Sequence, residues 1–196
     1  MQKILIIRFS SIGDIVLTSP VIRCVTNQVK NAKVHYLTKA RFSDLLEANP
    51  NVDKVHSFKD DLGDVIDQLK KENFDFVIDL HNNIRSRRVT TALAVKHQRF
   101  HKLNTEKWML VHLKINKLPK VHIVDRYLDT AKDLGVKNDG LGLDFPIPKK
   151  EEINPSDLPV GFQKDFIALV IGAQHFTKKL PEDKLAELIG LIPENV

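Results

Sequence analysis

Four consecutive aliphatic residues, Ile4, Leu5, Ile6 and Ile7, come near the start of the chain without polar alternation. That is the pattern of a parallel strand covered on both faces. The composition then changes abruptly to Ser10, Ser11 and Gly13, small residues that let backbone approach a ligand and can cap a helix starting near Asp14. Ser19 as N-cap and Pro20 in the first helical position predict a helix running to about Val29. Residues 34–37 and 51–55 read as the second and third strands, with a helix around 42–48 that ends at Asn49-Pro50-Asn51. Leu62, Val65, Ile66 and Leu69 recur with helical period, and Lys70 and Lys71 fall in the last turn. Residues 74–80 predict a fourth strand and 98–100 a short fifth. Val124, Tyr127, Leu128 and Ala131 form the buried stripe of a later helix carrying His122 and Arg126, closed by Gly135. Strands alternating with helices define an α/β class, a Rossmann-like parallel sheet with helices on both faces.

Beyond this region the prolines at 146, 148, 155 and 159 interrupt regular structure and mark a linker. Residues 166–171 repeat the character of the first strand. A polar turn, 172–179, follows, and a helix from Pro181 with an apolar face at Leu185, Leu188, Ile189 and Ile192. The domain plan is therefore 1–145 for the sheet domain, 146–160 for the linker, and 161–196 for the first strand-helix unit of a second Rossmann-like domain.

At 196 residues, with 42% hydrophobic and 28% charged residues, the chain is long enough for one good core and has the balance of a soluble globular protein. Arg8 interrupts any candidate signal core, and the single cysteine, Cys24, sits in an apolar helical pattern, so a cytoplasmic location is expected. The net charge of +5 is unevenly placed: between Arg85 and Lys120 ten basic residues face one acid, Glu106. An anionic partner accounts for this, whether nucleic acid, membrane surface or phosphorylated substrate; a solvated basic face is the plain alternative. Within that window Trp108, Met109, Leu110 and Val111 interleave with lysines, either lying on a membrane surface or packing down as an amphipathic connection. His97 and His101 have helical spacing but no partner ligands between them for a metal.

Asp14 is open to two readings, an acid favourable to a helix dipole or a catalytic carboxylate at a strand-to-helix turn. Asp79, at the end of the fourth strand, is either a turn-forming residue or a ligand contact. His122 is either a cleft residue or a structural histidine. The run K-I-L-I-I-R-F-S-S-I-G-D-I-V-L-T-S-P strongly resembles the opening of glycosyltransferase family 9, the bacterial heptosyltransferases. A polar turn with a basic residue before Ser (Arg85-Ser86), His122-x-x-x-Arg126, and Lys178-Lys179-Leu180-Pro181 extend the resemblance along the chain.

The resemblance implies the N-terminal part of a two-domain enzyme, with this chain covering about half of a family member and expected to turn over little by itself. The implied reaction is inverting, metal-independent transfer of a heptose-type sugar from a nucleotide diphosphate sugar such as ADP-heptose. The acceptor is a lipopolysaccharide inner core or related anionic glycolipid, reached from the inner face of the membrane, and no other cofactor is implied. Asp14 is carried over as base and Lys178 as diphosphate partner. Ser10, Ser11, Gly13, Asp79, His81, Asn82, Arg85, Ser86, His122 and Arg126 fall on the acceptor side, and Gly172, Ala173, Thr177 and Lys178 on the donor side. His81 and Asn82 stand where Gln and Gly are common in the family.

Three rivals lack their motifs. No G-x-G-x-x-G follows any strand, as a dinucleotide-dependent oxidoreductase would need, and no G-x-x-x-x-G-K signature of a P-loop kinase occurs. No nucleic-acid motif accompanies the basic window, and aromatics at 7% supply few stacking platforms, so no nucleic-acid partner is expected. The remaining alternative is a non-catalytic Rossmann-like binding module for an anionic ligand or nucleic acid. No D-x-D pattern suited to metal-bound nucleotide sugar is present.

Overall fold

In the computed structural model, residues 1–193 are described apart from Asp165 and Gln174. The contacts divide the chain into Met1–Pro148 and Lys149–Val196.

The first unit is built on a five-stranded parallel sheet. Its strands are β1 (Gln2–Ile7), β2 (Ala32–Lys39), β3 (Lys54–Phe58), β4 (Phe76–Asp79) and β5 (His97–Arg99), in spatial order β3-β2-β1-β4-β5. The order reverses between β1 and β4, which puts a switch point outside their carboxyl ends. The run at residues 4–7 is buried on both sides, as its lack of alternation requires. Ile4 and Ile6 join Val34, Tyr36, Phe76 and Ile78 under α2 (Ser19–Gln28) and α7 (Ile123–Leu128). Leu5 and Ile7 face the other way with Leu37 and Val77, under α4 (Gly63–Glu72) and α5 (Ile84–Leu93).

Several local expectations shift. The helix expected to begin after Ser19 begins at Ser19, with Thr18 at the cap. Thr18 is drawn inward, its hydroxyl bonded to the Ile15 carbonyl at 2.6 Å and paired with Tyr36 Oη at 2.9 Å. Ser19 Oγ instead accepts from the Asp144 amide at 2.9 Å. The third strand lies at Lys54–Phe58, not 51–55. Asn49 holds Asn51 in a turn through a 2.9 Å side-chain bond, and pairing with β2 begins only at Lys54, opposite His35. His122 caps α7 from outside, its Nδ1 accepting from the Val124 amide at 3.3 Å, so it and Arg126 do not share the helix proper. Gly135 closes the helical stretch with φ 77°, as a left-handed cap demands.

The last part of the first unit is tied to α2 by charge. Arg23, buried at 7% exposure, donates to both Asp139 oxygens at 2.7 and 2.8 Å, to the Gly142 carbonyl at 2.9 Å, and to Asp144. Gly140 and Gly142, with φ near 75°, let the chain turn tightly enough to present these groups.

In the second unit α8 (Glu182–Gly190) forms with Pro181 at its cap. The strand expected at 166–171 does not form: those residues have no regular structure, and Val170 is 94% exposed. A strand needs a neighbour for its backbone groups, and no strand is present among the described residues of this unit. Accordingly the described residues of the unit offer the apolar face of α8 no layer to pack on, and none of them is buried.

Candidate functional site

The carboxyl ends of β1 and β4 define the polar edge of the sheet. After Ile7 the chain turns through Arg8, Phe9 and a cis Ser10-Ser11 peptide into α1 (Ile12–Val16). Asp14 is the third residue of that helix. Its Oδ2 accepts from Ser11 Oγ at 3.1 Å and from the Ser11 amide at 3.3 Å, and lies 2.5 Å from the Arg8 guanidinium. Partial burial opposes ionisation, but the Arg8 charge and the Ser11 hydrogen bonds outweigh it and hold the carboxyl below the usual carboxylate range. With 39% of its side chain exposed, Asp14 is an ionised carboxylate open to a ligand.

Arg8, which the sequence marked only as an interruption of a signal core and not as a site residue, organises this edge. Besides pairing with Asp14 it donates to the Ser10 carbonyl at 2.7 Å, the Leu80 carbonyl at 2.8 Å and Tyr127 Oη at 3.1 Å. It therefore ties the turns after β1 and β4 together and fixes the position of Asp14. The available signal was a lone cation directly after a buried strand and before the turn.

Asp79, at the end of β4, is fully buried and spends its oxygens inside the protein. Oδ1 accepts from the His81 and Asn82 amides at 3.0 and 2.8 Å, and Oδ2 from Ser86 Oγ at 2.8 Å. Ser86 is equally buried and shares a reciprocal cap with Asn83 at the start of α5. Both residues, grouped with the acceptor contacts in the sequence, shape the turn from beneath. Asn82, at φ 42°, donates to the Phe100 carbonyl at 2.9 Å and accepts from Arg87 Nε at 3.2 Å. His81 packs its ring on Phe9 with centroids 4.7 Å apart, and its Nδ1 is buried without a hydrogen-bond partner. Burial first, then the charges of Arg8 and Lys102, push the imidazole down to about 4, so it is neutral at pH 7. Lys102, one of the ten basic residues of the 85–120 window, is lowered by burial and by Arg8, and Asp79 and Asp14 act on it in the opposite sense.

The other candidates spread outward. Arg85 stacks over Phe58 and donates to the Asp60 carbonyl, beside a hollow of about 220 Å³ lined by Lys39, Arg41, Phe58 and Lys59. Arg126 covers Phe100 and donates to the His101 carbonyl at 2.7 Å. His122 lines a different hollow, of about 250 Å³, with Pro20, Asn138 and Gly140, whose walls include neither Asp14 nor His81. Ser10, Ser11 and Gly13 stay beside Asp14. Gly172, Ala173, Thr177 and Lys178 belong to the second unit, where Thr177 and Lys178 are exposed in a 3₁₀ turn, Phe176–Lys178.

At the amino end of the sheet His35 Nδ1 and His56 Nε2 lie 3.0 Å apart, with Glu72 close enough that all three could reach one ion. Glu72 is already engaged by Lys54 at 2.5 Å and Lys3 at 3.1 Å. Two ammonium groups on its carboxylate oppose a cation there, and the cluster reads as a network that joins β1, β2, β3 and α4.

Fold and polar edge together define a doubly wound α/β domain with an ionised carboxylate and cations at its switch point. The chain belongs to glycosyltransferase family 9, the heptosyltransferase family, whose profile matches residues 63–195. Lipopolysaccharide heptosyltransferase 1 of Campylobacter coli is 26% identical over 211 aligned positions, covering 97% of this chain and 60% of that protein. A glycosyltransferase family 9 structure from Veillonella parvula superposes with a TM-score of 0.70 at 18% identity, over 95% of this chain and 58% of its own. Escherichia coli heptosyltransferase WaaC, solved with ADP, gives 0.65 at 20% identity, over 97% of this chain and 64% of its own. The chain thus spans about 60% of the length of these relatives.

Proposed function

We propose that the protein transfers a heptose-type sugar from a nucleotide diphosphate sugar to a hydroxyl of an anionic glycolipid, with inversion and without a metal. The acceptor oxygen bonds to the anomeric carbon from one face while the bond from that carbon to the diphosphate oxygen breaks on the other. Asp14 takes the hydroxyl proton, and the nucleoside diphosphate leaves with the electron pair. The observation that carries this reading is the half-exposed Asp14 carboxylate, ionised and fixed by Arg8 and Ser11 where β1 gives way to α1. Arg8 and Lys102 would attract an acidic acceptor to that edge, while Lys178 stabilises the departing diphosphate in the manner of fixed cations elsewhere. The names of the relatives support the substrate classes, a lipopolysaccharide precursor and an adenine nucleotide.

The test is Asp14→Asn in the complete protein, followed by transfer from ADP-heptose to a lipopolysaccharide-precursor acceptor. Turnover should fall by about 10²–10⁴-fold, the usual contribution of a placed base, with donor binding retained. Unchanged turnover would overturn the assignment.

A further inference from the structure

The imidazole of His81 makes no hydrogen bond among the described residues: Nδ1 is buried without a partner, and Nε2, at the tip of the ring, is neither paired nor enclosed. The ring is nevertheless held firmly. It packs on Phe9, itself 1% exposed, and Phe9 in turn meets Phe58 edge-on with centroids 4.9 Å apart. The His81 amide is fixed to Asp79 Oδ1 at 3.0 Å. Polar side-chain atoms inside a folded protein are nearly always paired, and a fixed exception at a strand end points to a partner from outside the chain.

Charges from three neighbouring strand ends act on the ring: Arg8 and Asp14 after β1, Lys39 at the end of β2, and Lys102 after β5. Burial first, then the cations, keep it neutral at pH 7. A proton on the enclosed Nδ1 would have no acceptor, so the ring proton is assigned to Nε2, which makes that atom a donor. A carboxylate or phosphate of a ligand forms its stronger, charge-assisted bonds with Arg or Lys. A neutral N–H set among such cations therefore suits a neutral oxygen. Asp14 is close enough for its charge to act on the ring, so one sugar can meet both groups through adjacent hydroxyls. We propose that His81 is a specificity-determining residue whose Nε2–H donates to a hydroxyl of the acceptor sugar beside the one that Asp14 deprotonates. The inference deepens the transfer reading and rests on it for the identity of the acceptor.

The test is the affinity of the complete protein for a deacylated lipopolysaccharide-precursor acceptor, and for two analogues that each lack one hydroxyl flanking the attacked one, measured by titration calorimetry. The wild type should bind one analogue about three- to tenfold more weakly than the parent, the size of one neutral hydrogen bond. His81→Phe keeps a ring on Phe9 and removes both nitrogens. It should bind the parent as weakly as the wild type binds that analogue, and no longer distinguish the two. His81→Gln restores a neutral N–H and should distinguish them again, while His81→Met, of like length without a donor, should not. The Gln and Met pair decides alone if Phe disturbs the packing. Affinity for ADP-heptose should be unchanged in all three, which a general loss of structure would not allow. Discrimination that persists in His81→Met would overturn the proposal, as would equal affinity of the wild type for parent and both analogues, or no binding of the parent. Binding is read without turnover, so the two readings separate. Discrimination by a protein that transfers no sugar would uphold His81 and sink the transfer reading, and transfer without discrimination would do the reverse.

Discussion

The Arg8 guanidinium lies 2.5 Å from the Asp14 carboxylate, and the same guanidinium reaches the Leu80 carbonyl and Tyr127 Oη. Arg8 therefore acts, together with Ser11, on both the position and the ionisation of the proposed base. A carboxylate so held stays charged, at some cost in proton affinity. Replacing Arg8 with Gln should move the acid limb of the pH profile for transfer to higher pH, because the carboxyl loses the charge that keeps it ionised. An unmoved acid limb in the complete protein would show that Arg8 does not tune the reacting group.

Asp79 makes a prediction about stability. Truncation to Ala removes the acceptor of the His81 and Asn82 amides at a fully buried side chain, and leaves the buried Ser86 hydroxyl only the Asn83 carbonyl at 3.1 Å. Asp79→Ala should cost about 2–3 kcal/mol, as expected for orphaned buried donors. Urea denaturation would measure the loss. A change under about 0.5 kcal/mol, the usual size of a surface substitution, would show that the turn is held by other means.

The histidine pair gives the fold a pH dependence. Burial, then the neighbouring His35, holds His56 down to about 4, and burial likewise lowers His35 despite the opposing charge of Glu72. In the unfolded chain both titrate near about 6.5. Between the two values the unfolded chain binds more protons, so this stability is complete above about pH 6.5 and drains away as the pH falls towards 4. For His56 the difference corresponds to about 3 kcal/mol. His81, also held to about 4, adds to the same slope. Glu72, lowered to about 2 first by Lys54, contributes only at still lower pH. The denaturation midpoint should drop between pH 7.5 and 5, and drop less in His56→Gln; equal drops would exclude the pair as the cause.

Arg23 joins α2 to the segment ending at Asp144 through the Asp139 and Asp144 carboxylates. Arg23→Ala should destabilise the first unit by about 2–3 kcal/mol. That is less than the ~3–5 kcal/mol of a fully buried pair, because the Asp144 side chain is 34% exposed. Proteolysis within 137–145 should accelerate in the variant. Wild-type protection there would mean that the Asp144 amide bond to Ser19 suffices.

Much of the architecture was present in local pattern. The unbroken apolar run at residues 4–7, the helical period of Leu62, Val65, Ile66 and Leu69, and the left-handed cap at Gly135 each depend on neighbours a few residues away, and each appears where the pattern puts it. The place of Asp14 in the first turn of α1 was legible for the same reason, since that turn lies within one strand-turn-helix segment. What tertiary structure decided involves partners far apart in sequence. Arg23 meets Asp139 over 116 residues, and Arg8 meets Tyr127 over 119. Asp79 proved to be spent on its own turn because burial, which no local pattern records, left it no face for a ligand. The apolar run at 166–171 has the same local character as β1 yet forms no strand, since a strand's backbone hydrogen bonds lie across to a neighbour and not along the segment itself.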